Sequence, residues 1–180
     1  MLSRDNHIVI AAVREPKSAS SQGLHDLLRG QGSKVIVLKI ESVSETEALA
    51  AVDALKSPHG ITRLDIVIAN AGIAKYIGKA ERTPVKEMLD HFTINSVAPL
   101  LFFHATSPCS PFKLDPNSSS CPLVRGASEL GNVGVRGMGH SEALVAIQDG
   151  VNGVLDRIDT ATRERSSGKF LSWDIEELPW

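Results

Sequence analysis

A single tyrosine, Tyr76, stands in 180 residues, and aromatic side chains make up only 4% of the chain. Any chemistry that needs a tyrosine therefore rests on Tyr76. Cysteine is equally scarce: Cys109 and Cys121 lie in a proline- and serine-rich stretch with no histidine or further cysteine at ligand spacing. That argues against a metal site; a pair of reduced surface thiols is expected, with a disulfide as the alternative. An excess of one charge is missing too. Lys and Arg number 19 against 21 Asp and Glu, a net charge of −2, so neither nucleic acid nor an anionic membrane is an expected partner. No apolar run reaches the ~20 residues a membrane helix needs, and Met1-Leu2-Ser3-Arg4-Asp5 does not open like a signal peptide. The expectation is a cytoplasmic chain folded as one domain over 1–180, long enough to bury a core.

What is present is a βα alternation. His7 to Val13 reads as a buried strand that ends at Pro16. Leu24, Leu27 and Leu28 mark a short helix closed by Gly30 and Gly32, and Val35 to Ile40 is a second strand. Ser44-Glu45-Thr46-Glu47 reads as a capping box for a helix with Leu49, Val52 and Leu55 on its apolar side. Asp65 to Asn70 is a third strand, β-branched and stopped by Asn70-Ala71-Gly72. Short links between strands and helices predict right-handed crossovers and a parallel sheet.

In such sheets ligands lie outside the carboxyl ends of the strands, which puts Asn70-Ala71-Gly72 on the ligand side. Thr83-Pro84 then predicts an N-cap with proline at the first helical position, followed by an apolar stripe of Val85, Met88, Leu89 and Phe92. Asn95, four residues before Pro99, falls where proline is expected to kink or restart the helix. His91 and His104 read as ordinary helix-face histidines. From Ser107 to His140 there is no periodicity of 2 or 3.6, and an irregular segment 107–140 is expected. The glycines from Gly131 to Gly139 follow no strand, so they are not a phosphate loop. Order returns near Ala143, with a helix from Gln148 carrying Val151, Val154, Leu155 and Ile158, and a strand at Lys169 to Trp173.

The run Leu64 to Gly72, with Asn95 and Pro99 at their spacing, resembles the short-chain dehydrogenase/reductase family. Ala80 to Met88 and the closing Ser167-Gly168-Lys169-Phe170 and Leu178-Pro179-Trp180 are similar to its fungal ketoreductase branch of the norsolorinic acid type. The likeness covers about residues 7 to 106 and 143 to 180. It implies an α/β fold with a partial Rossmann-like, doubly wound parallel sheet, an NADP cofactor and a small-molecule carbonyl substrate. The family's first strand carries a Thr-Gly-x-x-x-Gly-x-Gly loop whose amides hold the pyrophosphate. Arg14 to Gly23 offers one glycine, so His7 to Val13 aligns with the family's second strand, and the strand that normally separates second and fourth is lacking.

On that alignment Arg14 falls where the family reads the adenosine ribose. It is either a grip on the 2′-phosphate of NADP or a solvated loop charge, and Glu15 beside it keeps NAD open. Asn70, Ala71 and Gly72 take the family's cofactor-binding positions. Asn95 matches the helix asparagine that supports a proton-relay water; its alternative is to bond carbonyls freed at the Pro99 kink.

The family's reaction needs a tyrosine and, four residues on, a lysine that lowers its pKa. Four residues after Tyr76 stands Ala80, and Lys79 is at the wrong spacing in a loop. The expectation is therefore a short-chain reductase by descent, inactive as this chain, with weak or lost NADP binding. The alternative is a non-catalytic protein that forms homo- or hetero-oligomers through its last helix and strand, pairing with a full-length reductase.

Overall fold

The computed structural model describes residues 1–109, 141, 145–166, 169–174 and 177–178. These fall into two compact units, one of residues 1–67 with 96–109, the other of residues 68–95 with the described residues from 141 onward. The predicted segment 107–140 lies, beyond Cys109, outside the described residues.

The first unit is built on two parallel strands, β1 (Ile8–Val13) and β2 (Lys34–Lys39), in register from Ile8 opposite Lys34 to Val13 opposite Lys39. The crossover holds α1 (Ala19–Gln22) and a 3-10 turn, Gly23–Asp26. The expected helix is displaced towards the N-terminus, because Ser18 caps it by accepting from the Ser21 amide at 3.2 Å. Leu27 is already extended, and Leu28 is 89% exposed. Gly30 is required where its backbone crosses Arg4, since a Cβ there would sit 2.2 Å from the Arg4 carbonyl oxygen.

Helix α2 (Glu47–Lys56) buries Ala48, Ala51, Val52 and Leu55, a spacing of three and four that keeps one face inward. Leu49, expected on that face, points outward. Only half of the capping box forms: Ser44 Oγ accepts from the Glu47 amide at 3.2 Å, while the Glu47 carboxylate reaches the Glu41 amide and Lys39 Nζ instead. α2 packs on α4 (Ala98–Thr106), and the core they enclose is Ala48, Val52, Ala105 and Cys109, flanked by Leu64 and Phe102. Cys109 is a free thiol buried in this core rather than on the surface as expected, because its 3-10 turn, Ser107–Cys109, ends against α2 and Leu64. Cys121 lies outside the described residues.

Two strand expectations are corrected. Asp65 to Asn70 forms no strand, and Ile66, Val67 and Ile68 are about half exposed. A parallel strand exists only through a neighbour's ladder, and the sheet here is β1 and β2 alone among the described residues. The Leu64 amide donates to the Cys109 carbonyl at 2.9 Å instead. Lys169 to Trp173 shortens to β3 (Phe170–Leu171), which pairs antiparallel with β4 (Glu177–Leu178) and not with the parallel sheet. The turn at Trp173 and Asp174 folds the chain back on itself, so the local partner wins.

The second unit also contains α3 (Val85–Phe92), α5 (Ile147–Thr160) and the single turn α6 (Arg163–Ser166). α5 agrees with the predicted helix. Its Gly153 meets the hairpin so closely that a Cβ would lie 2.5 Å from the Trp173 carbonyl oxygen, and Arg157 Nε donates to the Ser172 carbonyl at 2.9 Å.

Candidate cofactor-side turn

The second unit places Asn70-Ala71-Gly72 and Asn95 together. Asn95 Oδ1 accepts from the Ile73 amide at 2.8 Å, and its Nδ2 donates to the Ile73 carbonyl at 2.9 Å. One side-chain amide thus closes the kind of two-bond ring that a neighbouring strand would supply. Gly72 makes room for it, since a Cβ at that position would stand 3.3 Å from Asn95 Oδ1.

Asn95 is held at this turn by a local change of winding. Residues Thr93–Val97 form a π-helical segment between α3 and α4. Pro99 lacks an N–H and crowds the carbonyl of the residue four before it, which is Asn95, so the wider turn relieves an α-helical register the sequence cannot keep. The Asn95 side chain goes to Ile73 rather than to carbonyls freed by the proline.

After Ile73 the chain stays laced to α3. The Lys75 amide donates to His91 Nε2 at 3.0 Å, and Lys75 Nζ pairs with Asp90 Oδ2 at 3.0 Å. Lys86 reaches the same oxygen at 2.7 Å. Hydrogen bonds from Lys86 first and Lys75 second hold the Asp90 carboxyl below its ordinary value, and Asp90 in turn raises Lys86. Thr83 is not the N-cap expected: its hydroxyl donates to the Lys79 carbonyl, and the helix begins at Val85 with Pro84 before it. A cleft of about 390 Å³ lies between loop and helix, lined by Tyr76, Ile77, Gly78, Thr83, Met88 and His91. Tyr76 donates its hydroxyl to the Arg82 carbonyl at 3.1 Å.

The outer face of α3 is unusual. Val85, Met88, Leu89 and Phe92 form the predicted stripe, yet they are 75, 59, 59 and 61% exposed, with Met88 at the edge of the cleft, while Asp90 and His91 bind the loop. The helix turns its polar side to its own chain.

Arg14 belongs to the other unit, exposed at the end of β1. The loop after it suits a dinucleotide poorly. Lys17 donates its amide to Glu15 Oε1 at 3.4 Å, so a carboxylate already faces main chain that an anion would need. Gly23 is the first glycine after β1 and has open space around it. No group of three or more His, Cys, Asp or Glu among the described residues could hold a metal ion.

No family model matches the chain. Its sequence is 31% identical to the norsolorinic acid ketoreductase of Aspergillus parasiticus over 228 residues, which takes in 99% of this chain and 84% of that protein. The chain belongs to the short-chain dehydrogenase/reductase family. It is 29% identical over 229 residues to the short-chain dehydrogenase RED3 of Pyricularia oryzae, covering 99% of this chain and 90% of that one. The fold agrees: a carbonyl reductase from chicken fatty liver, solved with NADPH bound, superposes with a TM-score of 0.73 over 98% of this chain and 100% of that one, at 16% identity. The aligned span of 228 residues exceeds the 180 of this chain, so the reductase relative carries segments that have no counterpart here.

Sequence reading singled out Asn95 and Gly72 by spacing. It missed Ile73, Lys75 and Asp90, and set His91 aside. The Lys86–Asp90 pair at i, i+4 was the one legible signal among them.

Proposed function

We propose that this chain is a member of the short-chain reductase family in which carbonyl reduction has been lost and NADP is held weakly or not at all. It is one incomplete nicotinamide-nucleotide domain descended from a ketoreductase acting on a small carbonyl substrate. The observation that carries this reading is the state of Tyr76. Its proton is committed to the Arg82 carbonyl, and the residue four positions on is Ala80, so Tyr76 has no lysine at the spacing the family uses. A general acid of this kind contributes about 10²–10⁴-fold, and no second tyrosine exists in the sequence. Neither Arg14 nor Asn70-Ala71-Gly72 replaces a glycine loop for the pyrophosphate. On this reading Asn95 takes the place of the family's helix asparagine, and Arg14 is either a grip on the 2′-phosphate or a solvated loop charge.

The test is NADPH consumption with a panel of quinones and aryl ketones. Rates equal to the no-protein control are expected. Turnover above it that disappears in Tyr76→Phe would overturn the reading.

A second reading is a non-catalytic partner of a full-length reductase, joined through α5 and the strand after it. It is favoured by Ile147 and Val151 on α5, 53 and 47% exposed. Size-exclusion chromatography of this chain mixed with a full-length relative separates the two readings. Co-elution favours pairing, and independent elution removes it.

A further inference from the structure

The hydrogen bonds around His91 select one tautomer of the neutral ring. Its Nδ1 faces the Glu87 carbonyl at 2.5 Å, and a carbonyl only accepts, so Nδ1 carries the proton. Its Nε2 accepts from the Lys75 amide at 3.0 Å, so Nε2 carries none. The imidazole that ties the loop to α3 is the neutral ring. A second proton would set an N–H on Nε2 directly against the Lys75 N–H, turning the tie into a repulsion between donors. One turn earlier on the same helix, Glu87 Oε2 is buried with no hydrogen-bond partner.

We propose that His91 is a proton-operated latch: protonation releases the Lys75 main chain and the ring turns to the Glu87 carboxylate, so the backbone beside the cleft loosens from α3 while Lys75 Nζ stays paired with Asp90. The two observations complete each other. The neutral state satisfies the Lys75 amide and leaves Glu87 Oε2 alone, while the charged state gives Glu87 a cation and leaves the amide to water.

The charged and titratable groups around the ring are Lys75 and Tyr76 on the loop and Lys86, Glu87 and Asp90 on the helix. Lys75 and Lys86 are both paired with Asp90. That carboxyl is held below its ordinary value, so Asp90 stays ionised where imidazoles take a proton and is not the switch. Tyr76 is tied to Arg82. Asn95 does not titrate and holds Ile73, so the change is confined to the Lys75 main chain, whose side chain stays on Asp90.

The experiment is amide hydrogen exchange and nuclear magnetic resonance of the full chain from about pH 5 to about pH 8. Once corrected for intrinsic exchange, the Lys75 amide is expected to lose protection about tenfold or more on acidification. Its midpoint should match that of the His91 ring resonances, with the Ile73 amide unmoved. In His91→Gln, whose side-chain oxygen accepts but does not titrate, the dependence should vanish. In Glu87→Gln the release should move to lower pH, because the charged ring loses its partner. A Lys75 amide whose protection is flat with pH, or dependence that survives His91→Gln, overturns the latch. If His91→Gln does not fold, an unchanged midpoint in Glu87→Gln overturns it equally.

Discussion

Asn95 shows how a residue picked out by spacing can be right in position and unreadable in its bonds. Its place four residues before Pro99 is plain in the sequence. Its partner is not, because a side-chain clamp on main chain 22 residues away leaves no pattern. Asn95→Asp keeps the acceptor and loses the donor, so the variant should lose about 1 kcal/mol in urea unfolding and raise exchange at Ile73. Gly153 is a second such residue. Nothing in the sequence marks it, yet a Cβ there would also come within 2.8 Å of the Trp173 ring. Gly153→Ala should cost about 1–3 kcal/mol, with the loss visible in Trp173 fluorescence.

Asp90 adds a pH signature. Its folded-state value is lowered from the ordinary 3.8 by Lys86 and then Lys75. The contribution is therefore present above the carboxylate range and lost as pH falls through the lowered value. Lys86 is raised from 10.5 by Asp90, so its side is present below that value and lost as pH rises through the raised one. Urea midpoints of wild type and Asp90→Asn should converge in strong acid and separate above it.

At the scale of elements, period and composition located β1, β2, α3 and α5, whose stabilising contacts are local or lie in one crossover. They failed where an element depends on a distant neighbour. The apolar run from Leu64 to Asn70 has every strand preference, but preference does not supply a ladder partner. In α2 the three leucine and valine positions drew attention away from the buried Ala48 and Ala51, of which Ala48 shares a core with Ala105 of α4. Burial gives the contrast to measure. Leu55→Ala, at a site 5% exposed, should cost about 2–4 kcal/mol. Phe92→Ser, on the outward stripe of α3, should stay within about 0.5 kcal/mol and raise solubility.

At the scale of the whole molecule, family membership was legible in the run Leu64 to Gly72 with Asn95 and Pro99 at their spacing. No helix among the described residues is long and apolar enough to cross a membrane. On the proposed reading, titrating NADPH into the full chain by calorimetry should give no saturable heat at micromolar concentration, because the 180 residues contain no Thr-Gly-x-x-x-Gly-x-Gly loop to hold the pyrophosphate. Tight binding that Arg14→Ala abolishes would restore Arg14 as the 2′-phosphate grip and remove the loss of cofactor from the proposal.

The buried hydrophobic residues among those described are Ala48, Ala51, Val52, Leu55, Ala105 and Cys109, mostly small, and no large side chain is fully enclosed. Heat capacity follows from this. Apolar surface that is wet before unfolding adds nothing to the increment when the chain opens, so the increment should fall below the usual 12–15 cal/mol/K per residue, as a rough scale. The denaturant slope, which tracks the same newly exposed area, should be shallow too. The stability curve of such a chain is broad and low, and it bends little towards cold denaturation.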